Sequence, residues 1–493
     1  MARTGKEYLE GIGDDGRVVW LGGERVDDVT THPALRGTAE TIAELFDLQH
    51  ERAEDCLVDD PELGLVNVSH IIPRSRDDLR RRRVGLELAA RTHAGLLGRS
   101  PDYINVTLAG FAGRADIFAM NGNERGAANM VAYQRYVAEH DLATTHAIIH
   151  PTVDRRLSVT DQHGEFAVHK VGETADAIVV RGARVLATLA PFADELVVYP
   201  GQPVPKDCPQ HALAFAVPMN TPGLVFLCRD SYSVDGPPFD RPFSSRFDEQ
   251  DAIVFFDDVE VPKDRVFVDG DPEIYAKVMS TGWTANIMQH TTIRALAKLE
   301  FAYALATQMV EVVGDRNPGA AMLLGEIWTY AELTRSALEA AEAGAYEWGN
   351  GVWFPDERPF RALRPTLPGW FARVRELFEA LGSHNLLTTP TEGELDTPAL
   401  KPLIDRYLRG ADVDARERAR IYRAAWDFVG SALASRNFLY ERYYLASPVR
   451  TYPLAHIAAQ KERDWSEVVA DVLERGLAAP DTKWTTRKET SDG

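Results

Sequence analysis

Arg99 and Tyr103, in Gly98-Arg-Ser-Pro-Asp-Tyr103, put a permanent cation and a phenol beside a proline-shaped turn. By themselves the two carry no function: Arg99 would as readily cap a helix or bridge a surface carboxylate. His146 and His150 stand four apart in Thr145-His-Ala-Ile-Ile-His-Pro151. On a helix that spacing would bring two imidazoles to one metal. Pro151 and the β-branched Ile148 and Ile149 disfavour a helix there, and no glutamate follows the first histidine to act as a base. A structural or substrate-facing histidine is the better reading, and no metal site is expected. Phe247-Asp-Glu-Gln-Asp251 reads by itself as an acidic turn ahead of a strand.

Other chemistries lack their signatures. Neither GxGxxG after a strand nor GxxxxGK[ST] occurs, so a nucleotide cofactor would have to bind by another route, and no GxSxG elbow supports a serine hydrolase. Cys56, Cys208 and Cys228 are too few and too widely spaced for a disulfide framework or a zinc site, which fits a reducing compartment.

The elements that must position these residues fall into three stretches. Helical periodicity marks residues 1–142, with one helix expected over Thr38 to Glu51 and another over Asp77 to Leu97. Gly98, Ser100 and Pro101 then break the chain, so Arg99 and Tyr103 should sit where it turns, free to face a cavity. Over 143–272 short β-like runs take over: Ala177 to Val180, Arg184 to Leu189, Ala212 to Val217, Leu224 to Leu227 and Ala252 to Val261. Gly182, Pro222 and Gly223 punctuate them, and the succession implies an antiparallel barrel or sandwich. Over 273–493 helical stripes return, through Ile293 to Leu305, Leu323 to Ala341 and Ile421 to Ala432, as in a helical bundle whose outer faces meet another subunit. The polar end, Thr482 to Gly493, is expected to be loosely ordered.

The chain has 493 residues and a formal net charge of −20, which opposes binding to nucleic acid or anionic lipid and favours solubility. The start lacks a secretory apolar run and no segment is apolar enough to span a bilayer, so a cytoplasmic protein is expected.

Several segments, in fixed order across nearly the whole chain, resemble the oxygenase component family of 4-hydroxyphenylacetate 3-monooxygenase. They are Thr4-Gly-Lys-Glu-Tyr-Leu9, Gly23-Glu-Arg-Val-Asp-Asp-Val-Thr-Thr-His-Pro33, Gly98 to Tyr103, His146-Ala-Ile-Ile-His-Pro-Thr-Val-Asp-Arg155 and Ser244-Ser-Arg-Phe-Asp-Glu249. Arg294-Ala-Leu-Ala-Lys-Leu299, Trp426-Asp-Phe-Val-Gly-Ser431 and Leu439-Tyr-Glu-Arg442 follow. The resemblance implies a mixed α and β, acyl-CoA-dehydrogenase-like fold: an N-terminal helical domain, a central antiparallel β-barrel and a C-terminal helical bundle, assembled as a homotetramer.

It further implies the oxygenase half of a two-component flavin monooxygenase. FAD would arrive already reduced from a separate NAD(P)H-dependent reductase, FMN being the less expected flavin. With O2 it would form a C4a-hydroperoxide that hydroxylates a phenol ortho to its hydroxyl. Arg99, Tyr103 and His146 would hold the substrate and serve catalysis, with His146 accepting the phenolic proton, Arg99 stabilising negative charge and Tyr103 orienting the ring. Thr152, Val153, Asp154, Arg155 and Thr188 would contact the flavin, and the resemblance extends this to Ser447, Pro448, Val449 and Arg450.

Two departures bear on substrate choice: extra residues within Leu108 to Glu124, and a less polar continuation, Leu189 to Asp194, both where a pocket or lid would lie. The phenol, whether free or tethered to a carrier protein, stays open. Two rivals remain: a FAD-containing CoA-ester dehydratase of the same fold, which would need cluster-binding cysteines at the positions of Arg99 and Tyr103, and a non-catalytic helical scaffold.

Overall fold

The structure is a computed structural model that describes residues 2–157, 166–201, 204–233, 236–279 and 282–474. The expected loose segment from Thr482 onward lies outside the described residues. Helices occupy both ends of the chain and strands the middle, in the expected sequence.

Among the described residues the middle strands form a six-stranded sheet in the order Glu24–Val26, Val19–Leu21, Leu224–Cys228, Asp251–Pro262, Ala177–Thr188 and His169–Glu173. A four-stranded sheet runs Val266–Asp269, Leu213–Pro218, Glu195–Val198 and Thr144–Ala147. The pairing is mainly antiparallel, as expected, with two parallel pairings, Val19–Leu21 with Leu224–Cys228 and Thr144–Ala147 with Glu195–Val198. Chain connectivity gives the reason: Val19–Leu21 comes from the N-terminal stretch and joins the six-stranded sheet from outside, and Thr144–Ala147 enters straight from the helix Glu124–His140.

The two runs expected on either side of Gly182 are one strand, Ala177–Thr188. Gly182 takes φ 124°, and a Cβ there would sit 2.6 Å from the Ala167 carbonyl oxygen, so the glycine allows close approach of a neighbouring chain and does not end the strand. The partner strand Asp251–Pro262 shifts register alongside it, between Phe256 and Val259.

The helix over Arg76–Thr92 stops five residues before the expected Leu97, because Ala94 and Gly95 take positive φ (51° and 66°) and turn the chain. At the C-terminal end the Ile421 to Ala432 stripe is split into Ala415–Val429 and Ala432–Tyr443, with Ser431 capping the second helix through the Ala434 N–H. The other two stripes lie within Trp283–Val312 and Pro318–Ala343. Trp283–Val312 is buried nearly all round through its first half, including His290, Arg294 and Lys298, as befits a helix at the centre of a bundle.

Two apolar cores result. One joins the helices at both ends of the chain. The other fills the space between the sheets and packs them on the helices Gly5–Ile12 and Arg36–Glu51. Leu189 to Asp194 belongs to the second core: Leu189, Ala190, Phe192 and Ala193 are fully buried, Tyr8 donates its hydroxyl hydrogen bond to the Phe192 carbonyl (2.7 Å) and Asp194 pairs with Arg3 (2.6 Å). Its apolar character anchors the N-terminal helix, so the expected pocket lid is corrected to a packed joint.

Candidate active site

Arg99, Tyr103 and His146 meet. Arg99 lies in the turn between the helices Arg76–Thr92 and Pro101–Gly113, and Tyr103 sits in the first turn of the latter. The arginine's guanidinium carbon is 4.0 Å from the centroid of the Tyr103 ring, a cation–π contact set up by their spacing of four residues. His146 is on the strand Thr144–Ala147, as the β-branched neighbours required, and its ring stacks on Tyr103 with centroids 5.5 Å apart. The parallel pairing of that strand with Glu195–Val198 sets His146 opposite Val197, which brings Tyr199 within 5.4 Å of the imidazole. Trp283, at the start of the central helix, closes on Tyr199 at 6.4 Å. Side chains from all three stretches of the chain thus converge, worth about 0.5–1.5 kcal/mol per aromatic pair beyond the area buried.

Burial sets their charge states. His146 is 5% exposed, and desolvation, reinforced by the Arg99 cation, holds its pKa well below the ordinary value of a histidine. It is therefore a neutral imidazole, and its Nδ1 is buried with no protein partner. Burial pushes the Tyr103 and Tyr199 phenols up, the Tyr199 hydroxyl also lacking a partner, so both stay protonated. For Arg99, burial works against the charge, but Tyr103, Tyr440, Tyr199 and Glu249 outweigh it and the net shift is upward. Leaving a buried polar atom unpaired costs about 1–3 kcal/mol, so His146 Nδ1, Tyr199 Oη and Trp283 Nε1 mark a place for a polar ligand. His150, by contrast, turns away: it accepts from the buried Arg184 (3.1 Å), and burial depresses its pKa to about 2.

Sequence reasoning missed what holds Arg99 in place. The run expected as a plain acidic turn, Phe247 to Asp251, is buried, and Gln250 adopts φ 54° between two working carboxylates. Glu249 accepts from the backbone N–H groups of Gly98 (2.8 Å) and Arg99 (2.9 Å) and pairs with Arg436 (2.5 Å). Asp251 takes the other arm of Arg436 (2.6 Å), the Arg229 guanidinium (2.9 Å) and the Thr188 hydroxyl (2.7 Å). Tyr440, four residues after Arg436, donates to the Gly98 carbonyl (3.0 Å) and its hydroxyl accepts from Arg99.

The residues expected to touch a flavin are scattered by comparison. Thr188 is buried at the end of its strand and tied to Asp251. Thr152, Val153 and Arg155 are exposed, and Asp154 pairs with Arg156 (2.6 Å). Ser447 caps the helix Pro448–Glu462, Pro448 opens its first turn, and Val449 and Arg450 face solvent. Arg450 lies close enough to depress the pKa of Arg364, behind the larger effect of that residue's burial; neither forms an ion pair among the described residues. A helix N-terminus beside Arg450, with Arg364 held by its donation to the Leu445 carbonyl (2.7 Å), fits a phosphate-bearing ligand such as FAD. Within Leu108 to Glu124, Phe111 reaches the site wall through an edge contact with Tyr199 at 5.4 Å.

Residues 4–268 match the 4-hydroxyphenylacetate 3-hydroxylase N-terminal family and residues 276–473 its C-terminal counterpart. The chain belongs to the 4-hydroxyphenylacetate 3-hydroxylase family. A 4-hydroxyphenylacetate 3-monooxygenase oxygenase component from Thermus thermophilus is 38% identical, over 94% of this chain and 95% of its own length. A crystal structure of the oxygenase component of 4-hydroxyphenylacetate 3-monooxygenase, complexed with FAD and 4-hydroxyphenylacetate, superposes with a TM-score of 0.90. It is 36% identical and covers 97% of this chain and 99% of that one. An archaeal 4-hydroxybutyryl-CoA dehydratase shares the fold, with a TM-score of 0.87 at 18% identity over 99% of this chain and 98% of its own. The family resemblance and the mixed α and β fold are thus as expected. Membership of the 4-hydroxyphenylacetate 3-hydroxylase family also sets aside the dehydratase rival, which is related through fold alone.

Proposed function

We propose that Arg99, Tyr103 and His146 hold a phenol and direct its hydroxylation, the observation that carries this being a neutral, buried imidazole stacked on Tyr103 beside a fixed cation. The chain is the oxygenase component of a two-component flavin monooxygenase acting on a phenol, with FAD as cofactor, O2 as co-substrate and a separate reductase as the source of reduced flavin. Reduced FAD supplies the two electrons with which one oxygen atom of O2 goes into the ring and the other into water.

The residues of this chain do the rest. His146, neutral across ordinary pH, accepts the hydrogen bond of the phenol hydroxyl and draws its proton, which makes the ortho carbon electron-rich. Arg99 stabilises the negative charge that gathers on the phenol oxygen, and Tyr103 and Tyr199 donate hydrogen bonds and ring faces that fix the plane of the substrate. Thr188 supports the flavin edge. Ser447 and Pro448 at the helix start, Arg450 beside them and the exposed segment Thr152 to Arg155 are suited to its phosphate and sugar portions. The substrate is a phenol, free or carrier-tethered, with 4-hydroxyphenylacetate the first compound to test.

Exposed apolar side chains at Met322, Trp328 and Leu333 support assembly into the homotetramer expected from the sequence, which light scattering would check. Among the described residues no helix is long and apolar enough to cross a membrane; a cytoplasmic location is part of the same proposal.

The deciding experiment mixes anaerobically reduced FAD and the protein with oxygenated buffer and a panel of phenols, one of them carrier-bound, and measures catechol formed. Catechol from a free or carrier-bound phenol, lost in the His146→Ala protein, is the expected result. Flavin reoxidation with no catechol from any phenol would overturn the assignment.

A further inference from the structure

Arg184 is fully buried on the strand Ala177–Thr188, and among the described residues it pairs with no carboxylate. Its Nη1 donates to the Ile148 carbonyl (3.0 Å) and to His150 Nε2 (3.1 Å), while Nε and Nη2 have no acceptor in the protein. A guanidinium can only donate, so Nε2 is the accepting nitrogen of His150. Burial, then the Arg184 cation, then His211 keep that imidazole neutral, which puts its one proton on Nδ1. Nδ1 is likewise buried without a partner. Arg184 and His150 thus present three N–H donors, one full positive charge and no unused acceptor. The charged neighbours that act on His150 are Arg184 and His211, and neither is acidic. Such a pair attracts an anion and repels a cation.

The edge left over identifies the anion. Nε–H and Nη2–H project in parallel from one side of a guanidinium and match the two oxygens of a carboxylate. This chain uses that edge for carboxylates repeatedly. Arg114 grips Asp116 with it (2.9 Å for each nitrogen), Arg420 grips Glu417 (2.8 and 2.6 Å) and Arg181 grips Asp258 (2.8 and 2.9 Å). In the interior, Arg436 sets the same edge on Asp251 (2.9 and 2.6 Å), and Arg82 sets it on the amide oxygens of Gln289 (2.9 Å) and Asn286 (2.8 Å). In Arg184 it meets no acceptor of the protein, although a lone buried cation is far costlier than a paired one.

We propose that Arg184 and His150 form a buried carboxylate-binding site, in which Nε and Nη2 of Arg184 take the two oxygens while His150 and the Ile148 carbonyl fix the guanidinium plane through Nη1. The site adjoins the wall. Ile148 follows His146 by two residues, and Gly201, two residues after Tyr199, lies so close that a Cβ there would collide with the Ile148 carbonyl oxygen. The carboxylate is therefore either a substituent of the phenol or a free small carboxylate. Binding here stands apart from turnover, so failure to bind and failure to hydroxylate are read separately.

The full-length protein is melted in carboxylate-free buffer while sodium formate, sodium acetate, 4-hydroxyphenylacetate or 4-ethylphenol is titrated, with sodium chloride at equal ionic strength as the reference. Equilibrium dialysis with labelled acetate and labelled 4-hydroxyphenylacetate measures binding directly. Carboxylate should raise the melting temperature beyond chloride, in step with the logarithm of its concentration, and bind one per chain. Arg184→Lys keeps the charge without the fork, and Arg184→Met removes both; each should weaken carboxylate binding about tenfold or more, the equivalent of one hydrogen bond to a charged group. A rise with formate and acetate supports the site with a free carboxylate as its ligand. A rise with 4-hydroxyphenylacetate but not with acetate or 4-ethylphenol, lost in R184K, supports it with the phenol's substituent as the ligand.

No rise beyond chloride and no bound label in the unaltered protein would overturn the proposal, with no variant needed. So would carboxylate binding undiminished in R184K and R184M, since the anion would then sit elsewhere.

Discussion

The wall formed by Arg99, Tyr103, His146 and Tyr199 and the two segments proposed as a flavin rim, Thr152 to Arg155 and Ser447 to Arg450, are built on opposite terms. Every member of the wall is at most 8% exposed and touches another member, whereas in the proposed rim Val153 is 62% and Val449 85% exposed. The wall is shaped by the protein alone. Its orphaned atoms, His146 Nδ1 and Tyr199 Oη, await a small polar ligand of fixed geometry. The rim offers unpaired cations and a helix end, features that attract a flexible anionic ligand without fixing it. The difference is one of preorganisation: chemistry demands exact placement at the reacting carbon, while a diffusing flavin has to come and go.

The largest test of this contrast is at the wall. His146→Ala should lower kcat for hydroxylation by about 10²- to 10⁴-fold, the range for loss of a positioned base, while flavin affinity changes little. Tyr103→Phe combined with His146→Ala should cost scarcely more than His146→Ala alone, because the two act on one hydroxyl. Additive losses, measured under saturating phenol and flavin, would show that the wall is not a unit. The pH profile gives a second reading of the same residue. Because burial and Arg99 hold His146 neutral, kcat/KM should show no ionisation near pH 6.5, where an ordinary histidine would produce one.

The same contrast explains what could be read from the sequence. That Arg99 and Tyr103 lie where the chain turns and that His146 is outside a helix was legible, because the proline turn and the β-branched residues fix the local backbone; that the three belong together came from the family resemblance. The parallel pairing that brings Tyr199 to His146 was not legible, since it depends on which strands meet across fifty residues. Glu249 and Arg436 were missed for a related reason: an acidic run looks the same on a surface turn and in a buried joint, and its partners, Arg436 among them at 185 and 187 residues away, decide between them. The strands contributed from Val19–Val26 were not legible, because short strands in succession carry no mark of a partner strand from the other end of the chain. Leu189 to Asp194 was misplaced because an apolar stretch reads alike as a pocket lid and as core.

A smaller effect separates the interior from the rim in acid. Burial drives the pKa of His93 down to about 3 and that of His150 to about 2, and pushes His146 in the same direction. Each is lowered in the folded state, so its contribution to stability is fully present above the unfolded value of about 6.5 and is lost as pH falls towards the folded value. At pH 5 His93 and His150 each give up about 2 kcal/mol, about 1.5 units at 1.36 kcal/mol per unit. Melting temperature should therefore fall between pH 7 and 5, and His93→Gln should flatten that slope. A slope untouched by His93→Gln and His150→Gln together would place the acid sensitivity elsewhere.

The smallest effect belongs to the rim, and its smallness is the point. Arg450 is exposed, so a charge contact it makes with a flavin phosphate is screened by water and salt and is worth about 0.3–1 kcal/mol. Arg450→Ala should accordingly weaken reduced FAD binding by about two- to fivefold, with kcat at saturating flavin unchanged and the loss shrinking as salt is raised. Arg364 reports on the same charge from inside: burial and then Arg450 depress its pKa, so removing Arg450 relieves a repulsion and part of the lost attraction is recovered. A loss above tenfold, or a fall in kcat, would mean that Arg450 is held as firmly as Arg99 when flavin is bound, and the division between a fixed wall and a loose rim would give way to a site that closes as one piece.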